Sequence, residues 1–186
     1  PETFAVDPQA DERLREPLIL SSRDGVLDVD LTAAAGVVMA GRRTRALGYN
    51  GTSPGPTLRV CPGDVLRVTL ANNLDDTTNL HTHGLHVSPE GNSDNVFRMV
   101  EPGDSARYEY TIPSDHPTGT FWYHPHHHGT VADQMFGGLF GALLVPEPED
   151  AGTAQERGLV VSDTPLTDDG AAPAVRRQKV LAGREG

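Results

Sequence analysis

The chain has 186 residues, of which 37% are hydrophobic and 22% charged, with a formal net charge of −11. Its length suits one domain with a remainder, and no apolar run approaches the roughly 18 residues that a membrane-spanning helix needs. The negative charge argues against sequence-independent binding to nucleic acid or an anionic lipid surface, and a single cysteine excludes an internal disulfide framework.

Residues 1–16 are polar and acidic, without the basic-then-apolar order of a leader peptide. We expect residues 1–17 to form an N-terminal extension. The chain opens on Pro1 without a methionine and stops on loop-type residues at Gly186, so neither end reads as that of a gene product. From 18 to 146 short strands alternate with turns. Val26-Leu-Asp-Val-Asp-Leu31 alternates at period two, as a half-buried strand does. Tyr49-Asn-Gly-Thr-Ser-Pro-Gly-Pro56 is turn chemistry. Leu58-Arg-Val60, Val65-Leu-Arg-Val-Thr-Leu70, Ala106-Arg-Tyr-Glu-Tyr-Thr-Ile112, Gly119-Thr-Phe-Trp-Tyr-His124 and residues 139–145 read as further strands. A short helical turn is expected over 131–136. About eight strands with hardly a helix predict an all-β fold, a Greek-key sandwich or barrel.

Residues 147–154 read as a linker, rich in proline and charge near Pro146-Glu-Pro-Glu-Asp150. Gly158-Leu-Val-Val-Ser162 is a lone strand-like run, and one strand cannot bury its own faces. Residues 155–186 are therefore expected to open a second, incomplete domain.

Eight histidines against five phenylalanines and one tryptophan ask for a reason. Seven fall in two places, Asn79-Leu-His81-Thr-His83-Gly84-Leu-His86 and Trp122-Tyr-His124-Pro-His126-His127-His128-Gly129. Side chains at i and i+2 of a strand share a face. His81 with His83, and His124 with His126, can thus converge four imidazoles on one patch. Imidazole suits copper, zinc, iron and nickel, and neither motif contains a thiolate or carboxylate, which favours copper. A structural zinc site would usually add cysteine, and Cys61 lies away from both motifs. Gly84 and Gly129 would leave room for a second backbone or domain. His128 is expected to support or pack beside the pair, His127 to point away, His86 to be a strand residue, and His116 a turn residue without function. Cys61 reads as a small, half-buried strand residue.

These motifs, with Gly51-Thr-Ser-Pro-Gly-Pro-Thr57, Pro62-Gly-Asp64, Gln134 and Gly138-Leu-Phe-Gly-Ala-Leu-Leu-Val145, resemble the first cupredoxin domain of the laccase-type multicopper oxidases over about residues 45–146. Residues 157–163 and 182–186 resemble the start of such an oxidase's middle domain. The resemblance implies a cupredoxin-like fold over 18–146 and an exported oxidoreductase. It also implies that electrons pass from a small reducing substrate to a trinuclear copper cluster that reduces O2 to water. By position it makes His81 a type-2 copper ligand, places His83 and His124 on one type-3 copper, and His126 on the other. Asp94, in Asn92-Ser-Asp-Asn95, resembles the carboxylate that assists proton delivery there. The family's substrates include phenols, Cu(I), Fe(II) and bilirubin-like molecules.

A type-1 copper needs a cysteine thiolate with two histidines and usually a methionine. Cys61 has no histidine in the following 19 residues, and Met39, Met99 and Met135 are scattered. The type-1 site and the remaining cluster ligands are therefore expected on further oxidase domains or a partner chain. Two alternatives remain: a non-catalytic copper-binding or storage cupredoxin module, and a short oxidase that builds its clusters between chains.

Overall fold

A computed structural model describes residues 17–39, 42–147 and 157–162. Among them the order is β1 (Ile19–Ser21), β2 (Val26–Ala35), β3 (Val38–Met39), β4 (Arg42–Arg43), β5 (Leu47–Tyr49), β6 (Thr57–Arg59), β7 (Val65–Asn73), β8 (His81–His83), β9 (Ser105–Thr111), β10 (Gly119–His124), α1 (Val131–Gly137) and β11 (Gly141–Val145). Alternation decides which face is buried. In β2, Leu27, Val29, Leu31 and Ala33 turn inward while Asp28 and Asp30 face water. In β7, Leu66, Val68, Leu70 and Asn72 do the same. β2 and β7 run parallel from Val26↔Val65 to Ala34↔Asn73, and β9 joins β7 antiparallel.

The strands form one sheet ordered β5-β2-β7-β9 and another ordered β1-β6-β11-β10-β8, with a small β3-β4 ribbon. Leu31, Leu66 and Leu70 of the first sheet pack with Leu58, Leu143 and Val145 of the second, around Tyr49, Tyr108, Tyr110 and Tyr123. Withdrawing each such aliphatic side chain from water contributes about 1.5–3 kcal/mol. The all-β sandwich expected from the sequence is the fold observed.

Some local expectations change. The last strand begins at Gly141, not Leu139, because Gly138 (φ 122°) ends α1 and the Leu139 N–H donates to the Gln134 carbonyl. Cys61 is exposed and lies in a turn instead of a strand: its N–H donates to Asp64 Oδ2 (2.7 Å) and its carbonyl accepts from the Asp64 N–H. Residues 157–162 form no strand. The expected extension 1–17 and the incomplete second domain lie mostly outside the described residues, as does the linker after Glu147.

Two features hold the sheet that carries the histidines. Tyr123 of β10 faces the core, and its hydroxyl donates to the Pro56 carbonyl at 2.7 Å. Gly141 lies against the Tyr123 ring, which occupies the space a Cβ would need. Helix α1 is pinned to the chain leading into β8. Thr78 Oγ1 donates to Gln134 Oε1, and Gln134 Nε2 donates to the Thr77 carbonyl (2.8 and 2.9 Å).

Candidate metal centre

β8 and β10 pair antiparallel, with His83 opposite Trp122, Thr82 opposite Tyr123, and His81 opposite His124. Directly opposed residues share a face. His81, His83, Trp122 and His124 therefore stand on one side of the ribbon, and Thr82 and Tyr123 are buried on the other.

Ring centroids lie 5.6 Å apart for His81–His83, 5.3 Å for His81–His124, 5.6 Å for His83–His124 and 5.0 Å for His81–His126. His83 Nδ1 and His124 Nε2 are 3.3 Å apart. One ligand atom from each of His81, His83 and His124 falls within 4.8 Å of the other two, a set able to hold a metal ion. The convergence of all four rings matches the sequence, but His126 reaches the cluster by another route. β10 ends at His124, so His126 lies beyond the strand after Pro125, and strand alternation does not place it.

Second partners orient the rings. Asp94 accepts the His81 Nδ1–H at 2.9 Å through Oδ2, and its Oδ1 accepts the Thr82 N–H at 2.9 Å. This leaves His81 Nε2 as the free donor atom. The His124 Nδ1–H donates to the Pro125 carbonyl at 2.8 Å, freeing Nε2. A ligand imidazole that gives its other N–H to a carboxylate or carbonyl is held in one tautomer and made more basic. Trp122 stacks on His124 at 4.0 Å and 24°, and on His83 at 5.1 Å and 27°. Its indole walls one side of the site. Burial, reinforced by the neighbouring His81, His83 and His126, lowers the His124 pKa to about 4 against the opposing Pro125 bond. His124 is therefore neutral and metal-ready at neutral pH.

The other histidines do different work. His116 is buried, and its Nδ1–H donates to the Pro117 carbonyl (2.7 Å) while its Nε2 accepts the His86 N–H (3.0 Å). It is a saturated structural histidine, more than the turn residue without function expected. His86 lies past the end of β8, outside any strand. His127 Nδ1 meets Thr130 Oγ1 at 3.2 Å, and His128 is exposed. The two glycines also have another reason. Gly84 and Gly129 adopt φ of 91° and 103°, backbone that L side chains rarely take, and the group nearest a Gly84 Cβ is the Phe121 ring, not another backbone.

Sequence reading missed Asn79 as a structural partner. Its Oδ1 accepts the His126 N–H at 2.6 Å and its Nδ2 donates to the Val96 carbonyl at 2.7 Å. The available signal was an amide two residues before His81, in the segment that leads into β8.

The sequence model of the multicopper oxidase family matches residues 32–150, and the chain belongs to that family. It is 33% identical to copper resistance protein A of Pseudomonas syringae pv. tomato over 147 residues, which covers 77% of this chain and 23% of that protein. It is 37% identical to a multicopper oxidase of Staphylococcus haemolyticus over 104 residues, covering 56% of this chain and 23% of that one. A solved multicopper oxidase from Campylobacter jejuni, described as a metallo-oxidase, superposes with a TM-score of 0.64 at 32% identity, covering 74% of this chain and 30% of that one. The chain thus spans about a quarter of the curated relatives it matches.

The donor set fits copper. Imidazoles converge, those of His81 and His124 each with its Nδ1 held by a partner, and no thiolate or carboxylate joins the triad among the described residues.

Proposed function

We propose that this chain is the first cupredoxin domain of a multicopper oxidase and supplies four histidines to a trinuclear copper cluster. The observation that carries this reading is the convergence of His81, His83, His124 and His126 from two paired strands and one loop. His83 Nδ1 and His124 Nε2 face one point, which supports a shared type-3 ion. His81, held by Asp94 with Nε2 free, suits the type-2 position, and His126 suits the second type-3 ion. Copper held there supplies one-electron chemistry and a place for O2.

The chain's own residues do the rest. Asp94 orients His81 and, with its side chain 12% exposed, offers the cluster a carboxylate that can pass protons to it. Trp122 keeps water from one side of the His83–His124 pair. The remaining ligands and the type-1 copper come from other domains or a partner chain, and the reducing substrate binds there. Export to the periplasm, the cell surface or the medium goes with the resemblance. Among the described residues no helix is long and apolar enough to cross a membrane.

The test is Cu(II) titration of the chain, with coordinated imidazole nitrogens counted by pulsed electron paramagnetic resonance. The His83→Ala and His124→Ala variants are expected to lose nitrogens and affinity. Oxygen consumption by a longer protein that includes this chain separates an oxidase from a storage module: abolition by His124→Ala supports the oxidase, and undiminished O2 uptake overturns it.

A further inference from the structure

β10 positions His124 by its ladder, but Pro125 has no N–H to continue that ladder and His126 lies beyond it. Something else must place the fourth imidazole. The His126 N–H donates at 2.6 Å to Oδ1 of Asn79, whose side chain is fully buried. The orientation of that amide is determined. The Val96 carbonyl can only accept and the His126 N–H can only donate, so a flipped amide would set donor against donor and acceptor against acceptor.

Asn79 also stands where three site-bearing segments meet. It lies two residues before His81. Its Nδ2 holds Val96, two residues after Asp94, and its Oδ1 holds the backbone of His126. The bridge between Thr78 and Val100 closes the other end of the Asp94 loop onto the same segment. Its side chain thus links the His81 segment, the Asp94 loop and the His126 loop through hydrogen bonds of its own.

We propose that Asn79 is the positioning residue that sets His126 against the other three histidines and ties that placement to the Asp94 loop. The inference rests on the copper reading above for its consequence, but its geometry stands apart from it. A buried amide whose two ends are both used costs the full desolvation of its former partners when it is removed. Here those partners are the backbones of a ligand loop and a carboxylate loop.

Two measurements test it. Amide hydrogen exchange of the metal-free chain is expected to find the His126 N–H protected although it lies outside any strand, with the protection lost in Asn79→Leu. A His126 amide that exchanges as freely as its exposed neighbours overturns the proposal. Cu(II) titration with nitrogen counting is expected to show Asn79→Leu, near-isosteric and apolar, losing one coordinated imidazole and roughly 10- to 100-fold in affinity. In a His126→Ala background the same substitution should change affinity less than about 2-fold, because coupled residues are non-additive. A full additional loss there means Asn79 acts only on general stability and overturns the proposal. Where Asn79→Leu does not fold, the exchange rate of the native His126 amide decides alone. Should the native chain bind no copper, the copper reading falls, while the exchange data still decide the Asn79–His126 link.

Discussion

Asp94 shows how one side chain can set the chemistry of another. It takes the His81 Nδ1–H and the Thr82 N–H together, so the ring can neither rotate nor change tautomer without losing a charge-assisted bond. Asp94→Asn keeps the shape but removes the charge and one acceptor. Copper affinity, measured by competition with a chelator, is expected to fall roughly 10- to 100-fold; unchanged affinity would remove Asp94 from the site. His124 gives a pH signature in the metal-free chain. Its folded pKa, about 4, lies below the unfolded value near 6.5. Between those values the unfolded chain binds a proton that the native one refuses, so stability falls as pH drops from about 6.5 towards 4. The slope from this residue is at most about 1.4 kcal/mol per pH unit. Urea midpoints at pH 7 and pH 4.5 should differ less in His124→Gln than in the native chain; equal pH dependence in both would contradict the assignment.

At the scale of elements, β10 has two faces with separate duties. Trp122 and His124 serve the site, while Tyr123 between them serves the core through Pro56 and Gly141. Tyr123→Phe leaves the buried Pro56 carbonyl without its donor and should cost about 1–3 kcal/mol of stability. Copper affinity should stay unchanged, because that side chain points away from the histidines. Gly141→Ala pushes a methyl into the Tyr123 ring, costs about 1–3 kcal/mol by overpacking, and should lower copper affinity too, since the whole strand must shift. Thermal melts paired with copper titrations separate the two variants; equal effects of both on copper binding would show that the faces are not independent.

For the whole molecule, the cluster is one-sided. Its nitrogens come from one sheet edge and one loop, and Cys61 sits exposed in the turn between β6 and β7. Copper-loaded chain should show no intense thiolate charge-transfer band, and Cys61→Ser should leave its visible spectrum unchanged; a strong band lost in Cys61→Ser would refute the ligand set. A chelator should also strip this chain faster than a longer protein that supplies the facing ligands, because open positions are left to water and protons compete for the imidazoles.

Periodicity and composition by themselves determined the all-β architecture, the long inward faces of β2, β7 and β9, and the two histidine pairs, because strand alternation is a local rule that residues two apart obey together. Alternation could not see β1 or β5, which are only three residues long. It placed Cys61 in a strand where the Asp64 carboxylate draws the backbone into a turn. It also aligned His126 with His124 by a strand that stops two residues too soon. Only the tertiary structure decided what holds the rings: Asp94 is 13 residues from His81, and Asn79 is 47 from His126. A hydrogen bond between such residues depends on how loops close over a packed sheet, and that closure follows from the burial of the core between the two sheets, not from any spacing along the chain.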